Sequence, residues 1–169
     1  GMLDDSPESS MSAAFLIHCF NLTKNSRYLD AALECLDAVI RDIIPEGRWE
    51  DFETYWSCSD YWSDHVGKKI PRNNMYKQCN FSMYFTSLAL LEAYLCTKEP
   101  RYMDWGQRVT DEMLMTQSSY QPSTIPIPVI GGFGVMNSDA ELNDARQSLF
   151  SILLLRYAHV TGDKEYLER

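Results

Sequence analysis

Between Trp49 and His65 the chain concentrates groups able to bind and cleave a polar ligand. The stretch reads Trp49-Glu-Asp-Phe-Glu-Thr-Tyr-Trp-Ser-Cys-Ser-Asp-Tyr-Trp-Ser-Asp-His65. Three of the four tryptophans fall here (Trp49, Trp56, Trp62), with Tyr55 and Tyr61 beside them and Glu50, Asp51, Glu53, Asp60 and Asp64 between them. Flat aromatic faces bury apolar surface and suit the C–H face of a sugar ring. Carboxylates accept from hydroxyls, and two of them flanking a glycosidic bond can supply the acid and base of its hydrolysis. A second acidic segment, Asn137-Ser-Asp-Ala-Glu-Leu-Asn-Asp144, offers the complementary partners. The candidate catalytic pair takes one acid from Glu53, Asp60 or Asp64 and one from Asp139, Glu141 or Asp144. Trp49, Trp56 and Trp62 would be sugar platforms, with Tyr55, Tyr61 and His65 lining the same cleft. This chemistry calls for no cofactor and no metal. Otherwise the aromatics pin a long loop and the acids are solvated, or the chain is a non-catalytic helical binding module in which the same aromatics hold a glycan or a protein partner. A lyase or epimerase needs a base for a carbon-bound proton, and only His65 with Tyr55 or Tyr61 offers one in this stretch; His18 and His159 belong to helix bodies.

The elements that must position these residues announce themselves at three corners. The segments Leu16–Asp30, Leu90–Asp104 and Leu154–Glu168 each run from an apolar helix end through a threonine (Thr23, Thr97, Thr161) and a few polar or turn residues. Each then restarts on Tyr-Leu or Tyr-Met followed by an acid. The threonines stand 74 residues apart (23 to 97) and 64 apart (97 to 161), too far for the roughly 34-residue tetratricopeptide class and right for repeated helical hairpins. Apolar residues all round predict buried inner helices near 9–22, 81–96 and 144–160. One-sided patterns at i, i+3, i+4 spacing predict outer helices near 27–43 and 100–116. Pro100 suits the first turn of its helix, Gly162 a C-cap, and Asp163 the cap of the next start. Asn143 is expected to cap the third inner helix, with Asp144 in its first turn.

The connections are asymmetric. Within each pair the turn takes about four residues, whereas residues 44–80 and 117–143 form loops well beyond the usual length. Antiparallel helices collect all long loops at one end, where function usually sits on a rigid scaffold. The second loop holds Gly131-Gly-Phe-Gly134, which lacks the Lys-Ser/Thr sequel of a phosphate loop and predicts a tight turn with close backbone approach. Polar helix starts (Asp5, Glu8, Ser9, Ser10; Gln78, Asn80, Ser82) complete a polar ring at that end.

Composition narrows the partners. A chain of 169 residues with net charge −9 argues against nucleic acid and anionic membrane surfaces, both of which reward clustered cations. No run has the length to span a membrane. The five cysteines are odd in number and form no CxxC pair, which argues against a disulfide framework or a zinc site, and Cys19, Cys35 and Cys96 on predicted helices read as small hydrophobes. The chain opens on Gly1-Met2, which resembles an expression scar. The compartment would be periplasmic or secreted if an export signal was removed, and cytoplasmic otherwise.

A buried helix ending in Thr-Gly-Asp-Lys-Glu-Tyr-Leu-Glu, repeated with long aromatic and acidic loops, resembles the six-hairpin glycosidase-like proteins. That resemblance implies an all-α fold of α/α-hairpin repeats forming part of an α/α toroid, with residues 1–169 one partial domain of about two and a half hairpins. It implies a carbohydrate-active protein, a glycoside hydrolase first among members that also include polysaccharide lyases and sugar epimerases. The helix beginning near Tyr166 stops at Arg169, so the chain reads as a fragment of a longer one. Half a ring would leave two inner flanks bare, at Phe15, Leu16, Ile17, Leu153 and Leu155. The expected cover is self-association or the remainder of the toroid.

Overall fold

The computed structural model describes residues 6–50, 67–136 and 142–169. Those residues are mostly helical, with no strand among them. The helices are α1 (Ser9–Thr23), α2 (Ser26–Asp42), α3 (Asn80–Thr97), α4 (Pro100–Leu114), α5 (Gln147–Thr161) and a short α6 (Glu165–Glu168). Two isolated bridges, Ile70 with Met75 and Cys79 with Met136, lie in the long connections. α1 and α2 form one hairpin, α3 and α4 a second, and α5 with α6 begin a third.

The three corners share one construction. Thr23 Oγ1 donates to the Cys19 carbonyl at 2.7 Å and accepts from the Asn25 N–H at 3.3 Å. Thr97 does the same with Ala93 (2.8 Å) and Glu99 (3.1 Å), and Thr161 with Tyr157 (2.7 Å) and Asp163 (3.1 Å). The next residue in each, Lys24, Lys98 or Gly162, is left-handed with φ of 59°, 61° and 77°. Its N–H bonds the carbonyl four residues back, closing the helix end. A left-handed lysine costs roughly 1–2 kcal/mol. The two lysines recover part of that over aromatic rings, Lys24 on Phe20 at 5.7 Å and Lys98 on Tyr94 at 5.5 Å. Asn25 and Asp163 then cap the following helices through Arg27 and Glu165 N–H groups.

The inner helices run parallel. Ser10 meets Thr86 near one end of α1 and α3, and Asn21 meets Cys96 near the other. Tyr84 meets Phe150, and Glu92 meets Arg156, along α3 and α5. The corner tyrosines tie each hairpin to the outer helix before it: Tyr102 lies 3.3 Å from Asp37 of α2, and Tyr166 lies 3.3 Å from Asp111 of α4. At the centre of the core α3 and α4 approach closely at Gly106. Ser87 and Thr110 hydroxyls bond each other beside it, and the Tyr157 hydroxyl donates to the Ser87 carbonyl at 2.9 Å.

Three expectations are corrected. α1 is not buried all round: Ser10, Ala13 and Ile17 are buried, while Met11, Phe15 and Leu22 are exposed, because an inner neighbour covers it on one side. Ile17 and Leu153, expected on bare flanks, are buried in the core, while Phe15 and Leu155 are exposed as expected. α5 begins at Gln147 rather than Asp144, and its lead-in turn is capped by the Asp144 carboxylate on the Arg146 N–H at 2.7 Å, not by Asn143.

A methyl at Gly106 would run into the Tyr157 hydroxyl and press on Leu90 at 3.4 Å. Gly106→Ala should therefore cost about 1–3 kcal/mol by overpacking, despite alanine's better helix propensity. Adding Tyr157→Phe should recover part of the loss, and a melting curve of the double variant no better than the single would show the clash lies elsewhere. Burial, then the neighbouring Asp37 and Asp111 carboxylates, push Tyr102 and Tyr166 up to about 12, against about 10 in an unfolded chain. A raised folded value means their stabilisation is complete below pH 10 and is lost as pH rises toward 12. Tyr102→Phe should flatten the alkaline limb of the stability curve, measured by denaturant midpoints between pH 9 and about 12.

Candidate functional site at the long-loop end

Three separate segments converge at the N-terminal end of α3, opposite the threonine corners. The Cys79 N–H bonds the Trp49 carbonyl at 3.1 Å, and the Asn80 N–H bonds the Val135 carbonyl at 2.7 Å. Asn80 Nδ2 donates to Thr116 Oγ1 and to the Gly134 carbonyl, both at 2.8 Å. Phe133 N–H in turn bonds Gln147 Oε1 at the start of α5 at 2.8 Å. One asparagine therefore locks the end of α4, the second loop and α3 together.

The floor so formed is polar and buried. Glu50, Lys77, Gln78, Asn80 and Ser82 are all below a tenth exposed. Glu50 Oε2 accepts from Arg48 Nε at 3.0 Å and from the Gly67 N–H at 3.2 Å, joining the residues on either side of 51–66. The Tyr76 ring sits between two cations, Arg48 at 5.9 Å and Lys69 at 5.1 Å. An aromatic wall follows along Phe81, Tyr84, Phe85, Phe133 and Phe150. Burial raises the Tyr84 hydroxyl above its ordinary range, and Arg156 moderates the shift. In the second loop Gly131 is left-handed at φ 80°, and a Cβ on Gly132 would meet the Leu142 carbonyl at 2.8 Å. That is the close backbone approach the glycine spacing predicts.

Of the residues singled out from sequence, Glu53, Tyr55, Trp56, Asp60, Tyr61, Trp62, Asp64, His65, Asp139 and Glu141 lie outside the described residues. Trp49 and Asp144 are described, and both hold structural positions. Trp49 is fully buried, its indole N–H donating to Glu112 Oε1 at 2.9 Å, so it has no face to offer a sugar and the platform expectation is corrected. Asp144 pairs with Arg146 Nε at 2.8 Å while capping the lead-in to α5. Among the described residues no group of three or more His, Cys, Asp or Glu side chains could hold a metal ion, and no helix is long and apolar enough to cross a membrane. Comparisons with protein-family models, with curated proteins and with solved structures find no match.

Cations accompany the acids here, a feature that carboxylate spacing alone does not reveal. Arg48, Lys77 and Arg146 all stand at this end, Arg146 with its guanidinium 5.8 Å from the Phe81 ring. The available signal was Lys77-Gln78 directly ahead of an apolar helix, a charge where the pattern turns inward. Replacing Trp49 by Phe should remove the Glu112 bond and cost about 1.5–3 kcal/mol, as for hydrogen bonds to charged groups, seen as a lower melting temperature. Binding of any ligand should be untouched. A loss of affinity at unchanged stability would return Trp49 to the ligand surface.

Proposed function

We propose that this chain is a carbohydrate-active helical-hairpin protein whose ligand is held at the long-loop end, and that it acts as a glycoside hydrolase with paired carboxylates. The observation that carries this reading is the gathering at one end of buried Glu50, Lys77, Gln78, Asn80 and Ser82, next in sequence to the aromatic and acidic stretch 49–65. A polar floor under aromatic side chains is what a polyhydroxylated ligand requires: hydroxyls find donors and acceptors, and ring faces find apolar area. The arrangement of hairpins as part of an α/α toroid belongs to the same proposal, supported by parallel inner helices and identical corners.

In this reading one of Glu53, Asp60 or Asp64 protonates the leaving oxygen or activates water, and one of Asp139, Glu141 or Asp144 takes the opposite role. The pairing of Asp144 with Arg146 favours Asp139 or Glu141 as the second acid. Trp56 and Trp62 remain as platforms. A non-catalytic glycan-binding module is the second reading. It is favoured by the structural duties of both described candidates, since Trp49 and Asp144 spend their polar atoms on the scaffold.

The test is a panel of oligo- and polysaccharides, followed by both binding calorimetry and reducing-end release. Amide replacement of each acid should abolish turnover at two positions while leaving binding intact. Trp56→Ala or Trp62→Ala should weaken binding by about 1–3 kcal/mol. Binding without turnover at any pH would select the module, and no binding across neutral, acidic and basic glycans would remove carbohydrate from consideration.

A further inference from the structure

α3 shows how an inner helix is covered on both sides. α1 meets it through Ser10 and Thr86 at 2.8 Å, and α5 through Arg156 and Glu92 at 2.6 Å. Among the described residues α1 and α5 each have one inner neighbour, and each presents an exposed stripe along the helix. On α1 the stripe is Met11, Phe15, His18 and Leu22; on α5 it is Ser148, Ile152, Leu155 and His159. Both follow i, i+4, i+7, i+11 spacing, the line that one packed helix lays on another. Phe15 is 65% exposed, Leu22 73%, Ile152 58% and Leu155 59%. The corner tyrosines mark the same vacancy of packing: Tyr102 and Tyr166 are buried against a preceding outer helix, while Tyr28 is exposed.

We propose that the α1 stripe of one copy docks on the α5 stripe of a second copy, head to tail. α5 would then stand to the neighbouring α1 as α1 stands to α3 within the chain. Two observations favour a second copy as occupant. The chain already contains this parallel inner-helix packing twice, so both halves of the required interface are present on one molecule. Neither stripe carries an acid, although the chain has a net charge of −9, so the contact brings apolar surfaces together and keeps the repelling carboxylates off it. The interface is heterologous, built from two different faces, and each added copy leaves one face of each kind free.

Sedimentation velocity across the micromolar to hundred-micromolar range should show species growing beyond the 19.5 kDa monomer. Phe15→Lys and Leu155→Lys should each abolish the growth, although lysine lowers the net charge and with it general repulsion. Mixing the two variants should restore a dimer and nothing larger, since only one live face of each kind remains. Circular dichroism checks that each variant keeps its helices, and Leu22→Lys with Ile152→Lys repeats the experiment should the first pair unfold. A wild-type chain that stays monomeric overturns the proposal. So does a mixture that stays monomeric, or an association lost in Phe15→Lys and kept in Leu155→Lys, which would mean α1 pairs with α1.

Discussion

One hydroxyl, used three times, sets the geometry of this chain. At Thr23, Thr97 and Thr161 the Oγ1 donates to the carbonyl four residues back in an inner helix and accepts from the N–H two residues on. It therefore ties the last turn of the helix to the N–H beyond it in a single side chain, an N–H that a plain helix terminus would leave without an intrahelical partner. With the following residue held left-handed, the chain turns back within two or three residues and the outer helix has one direction available. All reversals of that kind lie at one end, so the described parts of the remaining connections collect at the other.

Between the two ends the core is held by shape more than by polarity, and its buried polar contacts include the Ser10–Thr86 pair and a cluster of hydroxyls. The Ser87, Thr110 and Tyr157 hydroxyls occupy the crossing of α3, α4 and α5 around Gly106. A buried polar cluster costs desolvation unless every member is paired, and here no buried side-chain nitrogen or oxygen among the described residues is left unpaired. The cluster accepts only one arrangement of the three helices. The apolar contacts around it would tolerate several.

The corners were readable because their signal is local: a threonine, a turn residue and a tyrosine within a few positions of one another. Helix positions followed from the same locality, and boundaries moved only where a longer-range contact intervened. Asp144 was read as a first-turn residue because sequence distance cannot show that Arg146 pulls its carboxylate into a cap ahead of Gln147. Burial was harder. All-round apolar character marks α1, α3 and α5 alike, yet among the described residues only α3 has inner neighbours on both sides, and exposure depends on neighbours rather than on composition. Trp49 was grouped with its aromatic neighbours in sequence, but its partner is Glu112, in another hairpin. The buried floor of Glu50, Lys77 and Asn80 was only partly visible. Asn80 appeared as a helix start, while the two charges gain meaning when three distant segments meet.

Glu50 has one more property. Its Oε2 accepts from the Gly67 N–H at 3.2 Å, so this carboxylate clips together the residues on either side of 51–66. Closing a loop becomes only slightly harder as it lengthens, by about 0.6 kcal/mol for each doubling. A clip of that kind lets a connection change in length while its two ends stay together. The length of such a connection can then vary under selection separately from the corners and the Gly106 crossing, which answer to the stricter constraint of close packing.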